Sequence, residues 1–355
     1  MSSKSIVVPV ADLELFTFKA FRAMGLDEEE AQLCTSGLIQ SELRCHAGQG
    51  QGVRRLVGYR QRIVDNHVRV GAEFEIIKES PAVALVDAHN GLGSAVGQKA
   101  MVLAIEKAKL SGVGTVIVSN STHYGSSAVH ARLAVDHSCI GVAMTSAGPE
   151  MAPWGGKSGV LGTNPWGLAA PTGGHFPIIL DIALTTAGKG MMRWLLREQK
   201  KMPIDWALTP EGHETDDPAA ALQGALLGIG GYKGSGLAML TDVLTGVLGN
   251  SAFGLATYGS PERQGVAHTF LAFDIDWFLP LNEFKTRIDA LIEQVKSAEL
   301  RPGFKEILVP GEVEYRREKQ ARANGADIDS ETAGALVALA GELGLPHPFP
   351  SPDNL

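Results

Sequence analysis

At 355 residues with 45% hydrophobic content, the chain is long enough to bury one large or two modest cores. A formal charge of -8 and a pI near 5.7 argue against nucleic acid as a partner, because a phosphate-binding surface normally leaves a basic excess. Cys34, Cys45 and Cys139 lack short paired spacing, which speaks against a zinc knuckle or a disulfide framework and fits reduced thiols in the cytoplasm. The N-terminus leads only into a short apolar run, Ile6 to Val10, broken by Pro9, which is not a signal peptide. No apolar stretch reaches the roughly 20 residues that span a bilayer, so no membrane partner is expected.

Leu13, Phe16 and Phe21 recur at near-helical spacing from Ala11 to about Ala23, where Gly25 stops the pattern. Asp27, with Glu30 three residues on, announces a second helix running to about Arg44. A third begins near Val53 and carries Leu56, Tyr59 and Ile63, so the first 70 or so residues read as a helical unit. Its glycine-rich interruption, Ala47 to Gly52, is on its residues alone a helix connection. Phe74–Ile77 and Ala82–Asp87 read as strands, followed by a long helix, Ala95 to Leu110, closed by Gly112. Gly91 and Gly93 do not complete a G-x-G-x-x-G fingerprint, so a conventional Rossmann reading is poor.

The stretch from Val116 to Asp181 organises the chain. An apolar β-branched run ends abruptly in Ser119 to Gly125 before a helical pattern (Ala128, Ala131, Ala134), which is how a buried strand delivers functional groups at its carboxyl end. Ile140–Thr145 and Pro177–Asp181 read as further strands, with glycine-bearing loops at Met151–Lys157 and Gly162–Pro165 between them. Thr185–Gly190 opens a helix but lacks P-loop spacing, so ATP binding is discarded. Further on, Met192–Lys201 reads as a helix with a solvated basic face, Pro203–Leu208 as a short strand, and Pro218 as a helix start. Glycines from Gly228 to Gly236 bracket Tyr232 and Lys233, and Leu237 to Leu244 follow as a buried helix. His268–Asp274 reads as a strand, Leu281–Ser297 as an amphipathic helix, Val313–Asn324 as a charged, solvated helix and Thr332–Leu343 as the last helix, before a proline-rich extended tail.

His123 is the imidazole best placed for proton transfer, since small hydroxyl neighbours at a strand end can tune it near neutrality. Asp181 ends an apolar run, as a helix cap or as a functional carboxylate. The remaining histidines lack paired metal-ligand spacing apart from His130 and His137 on one possible helix face, and no metal is expected.

Five motifs carry a resemblance: Asn-Ser-Thr-His-Tyr-Gly at 120 to 125, Leu-Gly-Thr-Asn-Pro at 161 to 165, Leu-Asp-Ile-Ala at 180 to 183, Gly-Gly-Tyr-Lys-Gly at 230 to 234 and Pro-Gly-Glu at 310 to 312. In their order and spread the chain resembles the malate/L-lactate dehydrogenase family. The resemblance implies an α/β fold: a non-Rossmann cofactor domain with a mixed β-sheet (residues 73–280) plus a helical domain built from both chain ends (1–72 and 281–355). It implies NAD or NADP as cofactor, hydride transfer to or from a small 2-hydroxy or 2-oxo carboxylic acid, and a homodimer with its active site near the subunit contact. Alternatives are a reductase of cyclic ketimine-2-carboxylates and a cofactor-binding relative that has lost catalysis.

By the same resemblance His123, Gly125, Thr163, Asn164, Asp181, Ala183, Tyr232, Lys233, Gly311 and Glu312 line the cofactor. Arg54 or Arg55 holds the substrate acid, a task that suits the guanidinium fork. The chain departs from the family at its glycine-rich segment, where Arg-Gly-x-x-Ser-His-Gly is usual and a histidine donates the proton. Gln49 or Gln51 stands there instead, able to hydrogen-bond a substrate oxygen but not to transfer a proton near pH 7. His46, nearby, is either the replacement imidazole or a helix-end residue. No ribose-phosphate reader stands out, so NADH and NADPH both remain open.

Overall fold

A computed structural model describes residues 5–45 and 51–350. The chain begins with strand β1 (Ser5–Val8) and helices α1 (Val10–Ala23), α2 (Glu28–Arg44) and α3 (Arg55–Val64). Helix α2 starts where its sequence signals it: the Asp27 carboxylate accepts the Glu30 N–H at 2.8 Å, and three glutamates occupy the first turn. The start of α3 is held differently, by Glu42 of α2, whose carboxylate accepts the Val53 N–H at 2.7 Å. Gly52 permits that contact, since a Cβ there would lie 1.8 Å from the Glu42 oxygen.

Next come β2 (Glu75–Glu79), β3 (Val83–Asp87), α4 (Gly93–Ser111), β4 (Val113–Ser121), α5 (Ser127–Arg132), β5 (Cys139–Thr145), β6 (Trp166–Ala170) and β7 (Ile178–Ile182). Helices α6 (Lys189–Arg197), α7 (Pro218–Gln223) and α8 (Tyr232–Asp242, continuing as a π-turn) lead to β8 (Val266–Asp274). Helices α9 (Leu281–Lys296) and α10 (Glu312–Asn324), strand β9 (Ala326–Asp329) and helix α11 (Ser330–Leu343) complete it.

Seven strands form one sheet in the order β2-β3-β4-β8-β5-β6-β7, in which only β3 and β4 run parallel. Antiparallel β8, inserted between β4 and β5, breaks the all-parallel order of a dinucleotide-binding Rossmann sheet. Buried Val116, Val118, Ala104 and Phe270 anchor the core between this sheet and α4. A second core joins the chain ends: β1 pairs antiparallel with β9, and Leu13, Phe16 and Leu38 meet Ile328, Leu336 and Leu339. Among the described residues no helix is long and apolar enough to cross a membrane.

Several expectations are corrected. Strand β6 had no clear signal, because Trp-Gly-Leu-Ala-Ala is poor in β-branched residues and takes its conformation from β5 and β7. Pro203–Leu208 is a 3-10 turn over Ile204–Trp206 followed by single bridges at Ala207 and Leu208, since no neighbouring strand extends the pairing. The helix expected to be buried, α8, leaves Leu237, Met239, Leu240, Val243 and Leu244 between 37% and 62% exposed. Apolar periodicity cannot tell a face covered within the chain from one presented outward. Helix α10 is not solvated throughout: buried Glu318 bonds Arg44 of α2 at 2.8 Å, Arg132 of α5 at 3.2 Å and Arg322 at 3.1 Å. Helix α9 buries only Ile292 and reaches the 173–174 loop, where Asp289 accepts the Gly173 and Gly174 N–H groups.

Beneath the end of β4, Tyr124 is sandwiched between His130 and His268, at centroid distances of 4.4 and 4.6 Å. Burial pushes His130 down to about 4, and burial reinforced by His130 pushes His268 down to about 3. Below the ordinary histidine range near 6.5 the unfolded chain takes up protons that the folded chain refuses, so their stabilisation is complete above about pH 6.5 and lost as pH falls towards the folded values. Glu42, pushed up to about 7 by burial, acts in the opposite sense between pH 7 and about 4.5, so the comparison is best made between variants. Between pH 6 and 4, the unfolding free energy of the wild type should fall more steeply than that of His268→Asn by about 1.4 kcal/mol per pH unit in urea titrations. Parallel curves would mean that His268 charges freely in the folded chain.

Candidate active site

Strand β4 runs out into polar residues that are largely buried, Ser119, Ser121 and Thr122 among them. Asn120 takes φ +49, its amide donating to Asp87 at 2.6 Å, and the Thr122 hydroxyl donates to the Gly91 carbonyl at 2.9 Å. These bonds aim the next residue, His123, at the helical unit. Its Nδ1 lies 3.0 Å from the Tyr59 hydroxyl, and Gly125 follows at φ +89.

Arg55, Tyr59 and Arg62 stand at i, i+4 and i+7 of α3 and therefore share the helix face that meets His123. Burial first, then the charges of Arg55 and Arg62, holds the His123 imidazole well below its usual range. Burial also pushes the Tyr59 phenol up, so it keeps its proton throughout the working range. Opposite Arg62 lies Tyr258, its ring centroid 4.9 Å from the guanidinium carbon. Tyr258 is held at φ +61 by its N–H bond to the Gln264 carbonyl at 2.7 Å, a left-handed conformation that costs a non-glycine residue roughly 1–3 kcal/mol.

Asp181, at the end of β7, is tied to the same loop. The Ser126 hydroxyl and the Ala128 N–H both donate to its carboxylate, the latter at 3.3 Å. It lies at the back of a cleft of about 320 Å³ bordered by Arg44, Cys45, Ser126, Gly311 and Glu314. Although the residue is exposed, desolvation by the surrounding protein pushes its carboxyl upward against those two bonds.

The other anticipated cofactor residues converge on the edge strand β7. The Leu184 N–H donates to the Thr163 carbonyl at 2.8 Å, and the Ile229 N–H to the Leu184 carbonyl at 2.9 Å, which brings Ala183 beside the Gly228–Gly234 turn. Pro310 accepts the Ile179 N–H at 3.2 Å, and a Cβ on Gly311 would fall 2.8 Å from the Ile179 carbonyl, so this approach requires glycine. Tyr232 and Lys233 are exposed at the start of α8, with Tyr232 edge-on to Trp154 at 6.1 Å.

Two anticipated residues have their side chains engaged elsewhere. Asn164 is fully buried, accepting from Ala147 N–H at 2.8 Å and donating to the Ala238 carbonyl at 2.8 Å and to Asp242 at 3.0 Å. The Glu312 carboxylate takes Lys296 at 2.7 Å, Arg316 at 2.5 Å and the Val309 N–H at 3.3 Å, and so shapes the turn that carries Gly311.

The adjacent arginines separate. Arg54 pairs with Glu331 of α11, which also takes Arg197 at 2.5 Å, whereas Arg55 is half-buried beside Tyr59. Gln51 is half-buried on the turn before α3, with its side-chain oxygen enclosed, while His46 and Gln49 lie outside the described residues. Sequence reasoning missed Tyr59, Arg62 and Tyr258 as site residues. The first two had a legible signal, polar groups four and seven places after Arg55 on a helix; Tyr258, in a loop, had none.

The malate/L-lactate dehydrogenase family model matches residues 8–337. The chain is 37% identical over 349 residues to a malate dehydrogenase of Pyrococcus horikoshii, covering 96% of each. It is 36% identical to an L-sulfolactate dehydrogenase of Methanocaldococcus jannaschii, over 91% of this chain and 93% of that one. The crystal structure of malate dehydrogenase from Entamoeba histolytica superimposes with a TM-score of 0.94 at 29% identity, over 98% of this chain and 100% of that one.

With all its polar atoms bonded inside the fold, Asn164 acts as a clamp between the 162–165 loop, Ala147 and α8. Asn164→Ala should lower the unfolding free energy by about 2–3 kcal/mol in denaturant titrations, by stranding the Ala147 N–H and Asp242. A variant as stable as the wild type would contradict that role.

Proposed function

Because the chain belongs to the malate/L-lactate dehydrogenase family and is an oxidoreductase, we propose that it moves a hydride between a nicotinamide cofactor and a small 2-hydroxy or 2-oxo carboxylic acid, with His123 handling the proton and Arg55 anchoring the carboxylate. The observation that carries this reading is the meeting of the His123–Tyr59 pair with the charge of Arg55 on one helix face. The surrounding groups fit a dinucleotide. Asp181 offers acceptors to ribose hydroxyls, the Thr185 hydroxyl is buried without a partner among the described residues, Gly311 allows close backbone approach, and Lys233 supplies an exposed cation. When bound, the nicotinamide supplies the hydride acceptor or donor.

Within this reading the His123 Nδ1–H donates to the Tyr59 oxygen, which fixes the tautomer whose lone pair sits on Nε2. In the oxidation direction Nε2 takes the proton of the substrate hydroxyl, and in reduction the imidazolium returns it. Arg55 binds the carboxylate through two parallel N–H bonds and so aligns the reacting carbon. Gln51 hydrogen-bonds the substrate oxygen and moves no proton. The homodimer contact lies on the exposed apolar face of α8, next to Tyr232 and Lys233, because leaving Leu240 and Leu244 in water is unfavourable.

His123→Asn should lower turnover by about a thousandfold, within the range for loss of a general acid–base. Cofactor binding should survive, read as a stabilisation of about 2.7 kcal/mol at 100 times the dissociation constant, with NADH and NADPH compared side by side. Unchanged turnover would remove His123 from the chemistry, and no thermal shift with either nucleotide would remove the cofactor site. In the oxidation direction kcat/KM should stay level from pH 8 to below 6.5, because His123 of the free enzyme is still neutral there; a midpoint at or above 6.5 would contradict its depressed affinity for protons. Leu240→Glu combined with Leu244→Glu should yield a folded monomer in sedimentation, whereas an unaltered oligomer would place the contact elsewhere.

A further inference from the structure

Two carboxylates line the cleft of about 320 Å³ at the end of β7. Asp181 comes from the strand itself, and Glu314 from the first turn of α10. Among the described residues Glu314 forms no ion pair, and its charge raises the proton affinity of Asp181. The cations that line the same cleft, Arg44 and Arg132, are both committed to Glu318, at 2.8 and 3.2 Å. A helix N-terminus commonly receives phosphate, but the first turn of α10 already carries Glu312 and Glu314, which offset its positive end.

These charges sort the possible occupants. Ribose hydroxyls are donors and the two carboxylates are acceptors, so a free 2′,3′-diol offsets both the desolvation of Asp181 and its repulsion from Glu314. A phosphate monoester carries a charge of about -1.5 to -2 at neutral pH and offers acceptors, so it answers neither carboxylate and is repelled by both. Ile179, Leu180 and Leu308 give the cleft an apolar wall for a flat base, which together with a few polar groups suits a nucleoside.

We propose that the Asp181–Glu314 cleft receives the adenosine half of the cofactor and accepts hydrogen bonds from its unmodified ribose, so that the protein takes NADH and rejects NADPH. This rests on the hydride-transfer reading above and names the cofactor that its site selects. Glu314 is the specificity-determining residue: it repels a 2′-phosphate that neither Arg44 nor Arg132 is released to bind.

The test measures dissociation constants of the full-length protein by calorimetric titration without substrate, so that binding and not turnover is read. NADH should bind at least about tenfold more tightly than NADPH. In competition against NADH, 5′-AMP should bind more tightly than adenosine 2′,5′-bisphosphate by a similar factor, which locates the choice on the adenosine half. Glu314→Gln, which keeps the shape and removes the charge, should shrink both ratios, chiefly by strengthening the phosphorylated member of each pair. Glu314→Arg should shrink them further, because a guanidinium fork matches a phosphate. A merely structural role for Glu314 would weaken both nucleotides together and leave the ratios unchanged, which would overturn the inference. Equal binding of NADH and NADPH by the wild type, or a preference for NADPH, would overturn it and leave the hydride-transfer reading standing. So would a preference for NADH that the two adenosine fragments do not share. Binding of neither nucleotide would overturn the hydride-transfer reading itself, and the inference with it.

Discussion

The bond between the Tyr59 hydroxyl and His123 Nδ1 joins the helical unit to the sheet at the proposed chemical centre. His123 follows the end of strand β4, and Tyr59 belongs to a helix whose position depends on the core made by both chain ends. The proposed site needs both. The strand offers an imidazole among small hydroxyl residues, and the helix brings the phenol that orients it and the guanidinium groups that set its charge. The β1–β9 pairing, which closes the chain ends on each other, therefore bears on the site although it contains no site residue.

Charge is handled in two ways across the fold. Where the structure needs firmness, opposite charges meet in partly or fully buried networks, as at Glu318 between Arg44 and Arg132, or at Glu312 between Lys296 and Arg316. Around His123, burial together with the nearby charges of Arg55 and Arg62 keeps the imidazole neutral. Breaking a buried pair is strongly destabilising, so the networks hold helix to helix and the 309–312 turn to α9.

The proposed cofactor side lies on the edge strand β7. An edge leaves backbone groups without a neighbouring strand, and here the Pro310–Gly311 turn and the 183–185 and 228–234 segments gather along it. Asp181 ends that strand and is bonded by Ser126, three residues beyond His123, so the proposed cofactor side and the proposed proton-handling side share one loop. A displacement of the 122–126 loop would disturb both together.

Much of this was legible in the sequence because it is written in local rules. The Asp27 cap, the long helix before Gly112, the apolar run ending in polar residues before His123 and the glycine-bracketed Tyr232–Lys233 each depend on neighbours a few residues apart. The absence of a Rossmann fingerprint likewise followed from spacing. What tertiary structure decided were relations between distant segments. Adjacent Arg54 and Arg55 are equivalent as sequence, and only the approach of Glu331 from the last helix draws one away while the other remains beside Tyr59. Asn164 and Glu312 look like ligand-facing residues until Asp242 and Lys296 arrive to occupy them. The apolar period of α8 promised burial, but no part of the described chain comes to cover Leu240. The sequence determined which groups exist and on what kind of element they ride. The long-range fold decided which of them face each other, because a side chain's partner depends on chain closure that local spacing does not encode.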